Sequence, residues 1–459
     1  MSSVPTSIKA MLANNGQEHV LHFWDELNEK EQAAFVQQIE SIDFNVLLHL
    51  ASLNSSDSCG NAEQIAPSPL ISVNDDSVDW EQVRSVGESV LQKGAIGVLT
   101  VAGGQGTRLG WSGPKGTFPA TPITGKSLFQ LIAEQILFAS EKYQVTIPWY
   151  IMTSQENDAV TRSFLLDNNC FGLDRTTIFA FPQGVVPAVD QDGKMLLAKK
   201  NQIFMNPDGH GGVITAMKQS GALEEMVSRG IEHLSYVQVD NPLVKAIDPK
   251  FIGIHCSEQS SCEVTSKCVL KKEPEERVGV FCKKGTTTSI VEYSDLTEQQ
   301  THETTVDGNI AFCCGSIAAH LISTRFIERV AGDLPWHVAH KKIPHIDIET
   351  GEFCEPKEPN ACKFERFVFD VLPLAENSLV LETLREEEFA PIKNASGTDS
   401  AQTSMELQIR RAIQWLQNRG VEVSESALVE ISPTTASSAE DIPEEILPKR
   451  IDSGETMVL

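Results

Sequence analysis

The sequence predicts an α/β protein: a mostly parallel sheet covered by helices, with smaller parts at either end. Three observations carry this prediction. Short β-rich runs bounded by turn residues alternate with longer stretches of helical periodicity through the middle of the chain. One such run, Ala95 to Ala102, opens directly into a glycine-rich loop, and open α/β sheets bind ligands at that place. A length of 459 residues suffices for two or three domains and a sizeable core.

The elements follow in order. Val20, Phe23, Trp24 and Leu27 have the i, i+3, i+4, i+7 spacing of a helix face, and Phe35, Ile39 and Ile42 extend an apolar face. Residues 52–76, rich in Ser, Asn, Asp and Pro, read as a connecting loop. A short helix from Val78 to Gln92 leads into the strand at 95–102. Further strands are expected at 148–153, 177–181 and 234–239. The clearest helix spans Ser127 to Tyr143, where Leu128, Leu131, Ile132 and Ile136 share one face. Residues 262–295 change character to antiparallel hairpins, with a Gly285-Thr286 turn. A helix from Thr403 to Gln417 precedes a Ser/Glu/Pro-rich tail, and no internal repeat is visible. The expected organisation is a helical N-terminal part at 1–92, a large α/β centre at 93–395 and a small C-terminal part at 396–459.

Composition narrows the partners. Thirty-seven Lys and Arg against 63 Asp and Glu give a net charge of −26. Phosphate-backbone binding needs a basic stripe and none is present, so a nucleic-acid partner is not expected. Small anionic substrates need only a few well-placed cations and stay admissible. No apolar run approaches the roughly 20 residues of a membrane helix. The N-terminal residues lack the basic and apolar regions of a signal peptide, so the expectation is a cytoplasmic protein without a membrane partner. The ten cysteines include no CxxC pair, and Cys256, Cys262 and Cys268 recur every six residues, which matches no zinc spacing. They are expected to be buried small hydrophobes rather than a disulfide framework. His337, His340 and His345 cluster without a metal spacing and read as a solvated or core-edge group.

The most informative segment is Val101-Ala-Gly-Gly-Gln-Gly-Thr-Arg-Leu-Gly110 with Pro114-Lys115. Its glycines allow close approach of backbone N–H groups to anionic oxygens. Arg108 offers a fork and Lys115 a point charge, and both suit a triphosphate. A dinucleotide fingerprint fails because Leu109 stands where GxGxxG needs its third glycine. A phosphate loop of the GxxxxGK[ST] type fails around Gly125-Lys126-Ser127, since Ala120 holds its first glycine position. That tripeptide reads instead as a turn and a helix cap. The remaining pattern, GGxGTRLGxxxPK, is filled at every position and is a nucleotidyltransferase loop.

At these residues the chain resembles the eukaryotic-type UTP–sugar-1-phosphate uridylyltransferases, and within them the UDP-N-acetylglucosamine (UDP-N-acetylhexosamine) pyrophosphorylases. Further motifs fall in that family's order: Phe181-Pro-Gln-Gly184, Pro207-Asp-Gly-His-Gly-Gly212, Val239-Asp-Asn241, Val291-Glu-Tyr-Ser294, Lys341-Lys-Ile-Pro344, Phe367-Val-Phe-Asp370 and Pro391-Ile-Lys-Asn394. The resemblance implies a Rossmann-like, glycosyltransferase-A-like mixed sheet. It implies that UTP and a sugar 1-phosphate give a UDP-sugar and pyrophosphate, most readily with N-acetylglucosamine 1-phosphate. Val101, Ala102, Gly103 and Gly104 would then line the nucleotide, Gln183 would read the uracil edge, and Gly209 would lie close to the base or ribose. Asp240 would hold Mg²⁺ (or Mn²⁺) near the α-phosphate. Glu292 and Tyr293 would face the sugar, Lys363 and Lys393 would reach phosphates, and Arg108 and Lys115 would serve the triphosphate.

Each residue also has a plainer reading. Gln183 suits a solvated loop, Asp240 a turn cap, Glu292 the polar face of a hairpin, and Lys363 a solvated surface. His210, Cys313 and Ser316 stand where the acetylglucosamine enzymes carry asparagines facing the sugar. The departure leaves room for a UDP-glucose or broad-specificity pyrophosphorylase. A non-catalytic UDP-sugar sensor is the alternative from another class, and the presence of both Arg108 and Lys115 favours the enzyme.

Overall fold

The computed structural model describes residues 3–54 and 64–459. Its centre is a ten-stranded mixed sheet. Four strands run parallel in the order His233–Gln238, Ile96–Val101, Trp149–Thr153, Ile178–Pro182. Their residues form nearly continuous apolar runs, as strands covered on both faces must: Ile96, Val98, Leu99 and Trp149 to Met152 are all buried. The indole of Trp149 is satisfied in this interior by donating to Thr100 Oγ1 at 2.8 Å. Gln238 pairs with Val101, and Val101 with Met152, so three strand ends lie level along one edge.

The sheet continues through Cys314–Ser323, antiparallel to both His233–Gln238 and Val264–Leu270. Val264–Leu270 also pairs parallel with Leu379–Glu382. The expected Gly285-Thr286 turn joins Val280–Lys284 to Thr287–Val291, and Gly285 takes φ +58° there. Val264–Leu270 has no place in that hairpin, which corrects the expectation for 262–295. Its apolar residues are covered instead by strands distant in sequence.

Helices cover the sheet. Leu128–Tyr143 buries Leu128, Phe129, Leu131, Ile132 and Ile136; Ser127 caps it by accepting from the Gln130 N–H at 3.1 Å. Trp80–Gln92 lies against Pro249–His255 at very close range, for a Cβ on Gly87 would sit 1.8 Å from the Pro249 carbonyl oxygen. Among the described residues, no helix is long and apolar enough to cross a membrane.

The chain forms two compact units, and their boundaries differ from the expected division. The first combines 1–63, 183–213 and 333–368; the second holds the rest. The N-terminal helices Thr6–Asn14 and Glu29–Glu40 share a core with Val186, Val189, Met195, Ile203 and Phe364. An apolar helix face needs cover, and distant segments supply it, so residues 1–92 are not a separate domain. Val20, Phe23, Trp24 and Leu27 are buried as expected, but the elements there are two short 3₁₀ turns, Glu18–Leu21 and Trp24–Glu26. In the proposed loop at 52–76, Phe44–Asn54 is helical up to 54 and Ile65–Pro67 is an edge strand; the stretch 55–63, with Cys59, lies outside the described residues.

The C-terminal part belongs to the second unit. Its tail is folded: Glu422–Val423 pairs with Arg450–Ile451 and Leu428–Glu430 with Thr456–Val458, around Trp415, Leu416, Val429, Ile442 and Ile451. Glu430 accepts the N–H groups of Ile123 and Thr124 at 2.8 and 3.0 Å. Lys126 reaches Glu134 at 2.7 Å and Ser432 at 2.8 Å. Gly125-Lys126-Ser127 thus anchors the tail and caps a helix.

Lys267, 1% exposed, holds two carboxylates in the interior. Its Nζ lies 2.7 Å from Asp248 Oδ2 and 2.7 Å from each Glu388 oxygen. Burial pushes its ammonium down, but the two acids outweigh that and hold it above the ordinary lysine range. Removing one partner of such a cluster leaves uncompensated buried charge. Lys267→Met should therefore cost about 3–5 kcal/mol in chemical denaturation. A loss no larger than the about 1 kcal/mol typical of a surface pair would contradict the buried arrangement.

Candidate active site

In the second unit, the glycine-rich loop leaves the C-terminal end of Ile96–Val101. The parallel ladder runs one residue beyond the strand, with Ala102 N–H donating to the Met152 carbonyl at 2.8 Å. The loop then folds on itself: Gly106 N–H donates to Gly113, Trp111 N–H to Gly106 and Lys115 N–H to Gly104, at 2.8 to 3.0 Å. Gly106 is required sterically, since a Cβ there would meet Trp111 at 2.7 Å. Gly104 differs: no atom lies within 4 Å of where its Cβ would be, so its backbone faces open space. The loop does not enter a helix directly. Two short 3₁₀ turns, Thr107–Leu109 and Lys115–Thr117, precede the helix at Leu128.

Asn157, fully buried, is a residue the motif reading missed. Its Nδ2 donates to the Ala102 carbonyl at 3.0 Å and the Gly104 carbonyl at 3.4 Å, while its Oδ1 accepts from Ser154 N–H at 2.8 Å. These bonds turn the Ala102 and Gly104 carbonyls inward, while the backbone at Gly104 faces open space. The only sequence signal was a polar residue just beyond a strand neighbouring the loop strand.

Lys115 Nζ lies 2.9 Å from Asp240 Oδ2, both partly buried. Two residues far apart in sequence thus meet where two neighbouring strands end. The Asp240 carbonyl accepts the Ile392 N–H at 2.8 Å. Next to it, buried Asn241 donates to the Glu388 carbonyl at 2.6 Å and accepts the Ala390 N–H at 3.0 Å. These bonds fix residues 388–392 against the strand end and set Lys393 one residue beyond the Asp240 contact. Arg108 is exposed in its 3₁₀ turn, and neither it nor Lys393 forms an ion pair with a described residue.

Glu292 and Ser316 each lie beside Gly279. Ser316 N–H donates to the Gly279 carbonyl at 2.8 Å, and a Cβ on Gly279 would lie 3.4 Å from Glu292 Oε1. Tyr293 is exposed. Ser316 Oγ accepts the Ala318 N–H at 3.2 Å. Ala318 itself, at φ +54°, marks an irregularity in the strand.

The first unit carries Gln183, Asp208 to Gly212 and Lys363. Gln183 is buried, so the solvated-loop reading does not hold for it. Gly209, at φ +84°, is required by the protein itself: a Cβ would lie 2.4 Å from the Arg366 carbonyl oxygen. Its need for glycine therefore has a cause other than the expected closeness to a base. His210 Nδ1 accepts the Val368 N–H at 3.1 Å, and its ring packs on Phe367 with centroids 5.3 Å apart. Lys363, on Ala361–Glu365, pairs with Glu365 at 2.6 Å. His337 and His340 are exposed on the neighbouring strand His337–Lys341.

A central strand ending in an open glycine loop, with a lysine of that loop on an aspartate at the next strand's end, defines an α/β nucleotidyltransferase. A family model described as UTP–glucose-1-phosphate uridylyltransferase matches residues 50–435, and the chain belongs to that family. It is 36% identical over 426 residues to UDP-N-acetylhexosamine pyrophosphorylase-like protein 1 of Xenopus tropicalis, covering 88% of this chain and 82% of that one. It is 33% identical over 462 residues to UDP-N-acetylglucosamine pyrophosphorylase of Saccharomyces cerevisiae, covering 95% and 96%. The fold is similar to that of the uridine diphosphate N-acetylglucosamine pyrophosphorylase from Trypanosoma brucei, with TM-score 0.81, 26% identity, and 96% and 94% of the two chains covered. The chain is thus an enzyme of the uridylyltransferase class.

Asp208 gives the first unit a pH signature. Gly184 and Gly212 leave room for no side chain beside its carboxylate, and Oδ1 is buried without a hydrogen-bond partner. Burial pushes its carboxyl up to about 6, against the opposing pull of Arg366. The folded state thus binds this proton more tightly than the unfolded chain does. Its contribution to stability is greatest below the unfolded value of 3.8 and is lost as pH rises through about 6. Asp208→Asn removes this term. Its unfolding free energy relative to the parent should improve by roughly 2 kcal/mol between about pH 4 and pH 7. A difference independent of pH would contradict the raised carboxyl.

Proposed function

We propose that the chain transfers a uridylyl group from UTP to N-acetylglucosamine 1-phosphate, releasing pyrophosphate, and that glucose 1-phosphate is a measurable second substrate. The observation that carries the reading is Lys115 on Asp240 beside the open backbone of Gly104. The names of the relatives support the substrates. A sugar-phosphate oxygen attacks the α-phosphorus in line; that P–O bond forms as the bond to the pyrophosphate oxygen breaks. The nucleophile is already ionised at neutral pH and needs no general base. The protein's task is to align two polyanions and to meet charge growing on the transferred group.

The roles follow. N–H groups of the 101–104 segment receive the nucleotide, Arg108 and Lys115 serve its phosphates, and Lys393 serves the sugar phosphate. Gln183 carries an amide donor and acceptor suited to the uracil edge. Asp240 is a hard oxygen donor, and one carboxylate with substrate phosphates is a set that Mg²⁺ accepts. Asp240 would hold Mg²⁺ (or Mn²⁺), which would neutralise phosphate charge. Lys115, on the same carboxylate, orients it. Glu292 and Ser316 are offered to the sugar. His210, whose Nδ1 accepts the Val368 N–H and whose donor is therefore Nε2, bears on the 2-acetamido group together with Cys313 and Ser316. A cytoplasmic setting is supported by cysteines kept as thiols, with no disulfide among the described residues.

Lys115→Ala should lower kcat by about 10²–10³ while folding is retained, because it loses a charge contact made during transfer. Steady-state kinetics beside a melting curve checks this; near-normal turnover would reassign the loop. Pyrophosphate exchange into UTP across a panel of sugar 1-phosphates tests specificity. The N-acetylglucosamine and glucose 1-phosphates should both turn over, with a preference well under about 10⁴ in kcat/KM, the scale of dedicated hydrogen-bond selection. A larger preference would contradict the relaxed pocket.

A further inference from the structure

The edge of the sheet opposite the glycine loop carries a cluster the reaction does not use. His233 opens the strand His233–Gln238 and pairs with Ile96, whereas Gln238 pairs with Val101 at the loop. Five residue steps at about 3.3 Å separate the two ends by roughly 17 Å. Beside His233 lie Cys256, directly after the helix Pro249–His255, and Cys262, in the turn before Val264–Leu270. Cys262 takes φ +58°, unusual for a side chain with a Cβ, and its N–H is held by Ser260 Oγ at 2.9 Å.

The donor atoms already stand close to coordination spacing. Cys256 Sγ is 3.9 Å from Cys262 Sγ and 3.8 Å from His233 Nε2, and all three atoms lie within 4.8 Å of one another. A tetrahedral ion with metal–sulfur bonds of about 2.3 Å and metal–nitrogen bonds of about 2.0 Å separates its donors by roughly 3.6–3.8 Å. The imidazole is also oriented from behind. His233 Nδ1 is 3.2 Å from His255 Nε2, and His255 Nδ1 is 3.0 Å from Thr265 Oγ1, both buried. Such a chain of outer contacts aims the remaining ring nitrogen at the sulfurs, as it does behind metal-bound histidines. The Glu232 carboxylate stands 3.9 Å from His233 Nε2 at the solvent side of the cavity that these residues line.

We propose that His233, Cys256 and Cys262 form a binding site for one borderline-soft divalent cation, Zn²⁺ foremost, with its fourth position open to Glu232 or water. The protonation states agree with the geometry. Burial, with His255 beside it, pushes the His233 imidazole down to about 4, so it is a neutral ligand at neutral pH. The hydrogen bond shared with Cys256 draws the Cys262 thiol down to about 4, while the Cys256 thiol is pushed up. Cation binding displaces the proton held between the sulfurs. The site ties together a strand start, a helix end and a turn, so its role is structural and lies away from phosphate transfer. It depends on no assignment made for the reaction.

The test uses the full chain, reduced, stripped with a chelator, and titrated with Co²⁺ followed by Zn²⁺. One equivalent of Co²⁺ should produce thiolate-to-cobalt charge-transfer absorption and tetrahedral ligand-field bands, and Zn²⁺ should abolish both. Cys262→Ser, at a partly exposed turn, should weaken Co²⁺ binding by at least about tenfold. Zn²⁺ should also protect Cys256 and Cys262 in the unaltered chain from alkylation, as read by peptide mapping, so the result does not depend on a variant that folds. Absence of the charge-transfer band at stoichiometric Co²⁺, or its full retention in Cys262→Ser, would overturn the proposal. Equal alkylation of both thiols with and without Zn²⁺ would do so too.

Discussion

The buried charge cluster at Lys267 is the constraint on which the catalytic edge depends. Its ammonium neutralises Asp248, in the segment after a central strand, and Glu388, in a segment more than a hundred residues later. Burying these carboxylates without the lysine would be prohibitive, so the three segments must meet in one arrangement. Glu388 in turn presents its carbonyl to Asn241, and the same stretch delivers the Ile392 N–H to Asp240. The aspartate that faces Lys115 is therefore held by backbone bonds rooted in the cluster.

The C-terminal part is built onto the same junction. The helix Ala401–Asn418 brings Arg411 to the Glu387 carbonyl at 3.1 Å and the Trp415 indole to the Glu387 carboxylate at 2.9 Å. Glu430 then grips the turn at 123–124, and Ser432 meets Lys126. A sequence that resembles a phosphate loop is used for internal docking, because its lysine and N–H groups already have partners. The loop at 101–115 is arranged the other way, with the Ala102 and Gly104 carbonyls bound inward by Asn157 and the backbone at Gly104 facing open space. This contrast accounts for how a chain carrying −26 can receive polyanions: local donors and a few cations act at short range, and salt screens the remaining field within about 8–10 Å.

Much was legible in the sequence because it was local. The nearly continuous apolar runs from 95 to 102 and from 148 to 153 mark strands buried on both faces, as parallel strands covered by helices are. The glycine spacing, with Arg108 and Lys115, determines a nucleotidyltransferase loop, since no rival phosphate motif fits it. Ser127 determines a helix start through its own hydroxyl. What only the tertiary structure decided depends on partners far apart in the chain. The folded tail, the strand Val264–Leu270 outside its expected hairpin, and the division into two discontinuous units each follow from which apolar faces find cover. Gly209 shows the same limit: its positive φ suits a site glycine, but the backbone of Arg366 is what excludes a Cβ. Cys256 and Cys262 have no zinc spacing, and His233 joins them from another strand because His233–Gln238 and Val264–Leu270 flank Cys314–Ser323, both antiparallel to it, which brings their starts level. Local chemistry is written residue by residue, whereas the meeting of distant side chains is set by the free energy of burying the whole core.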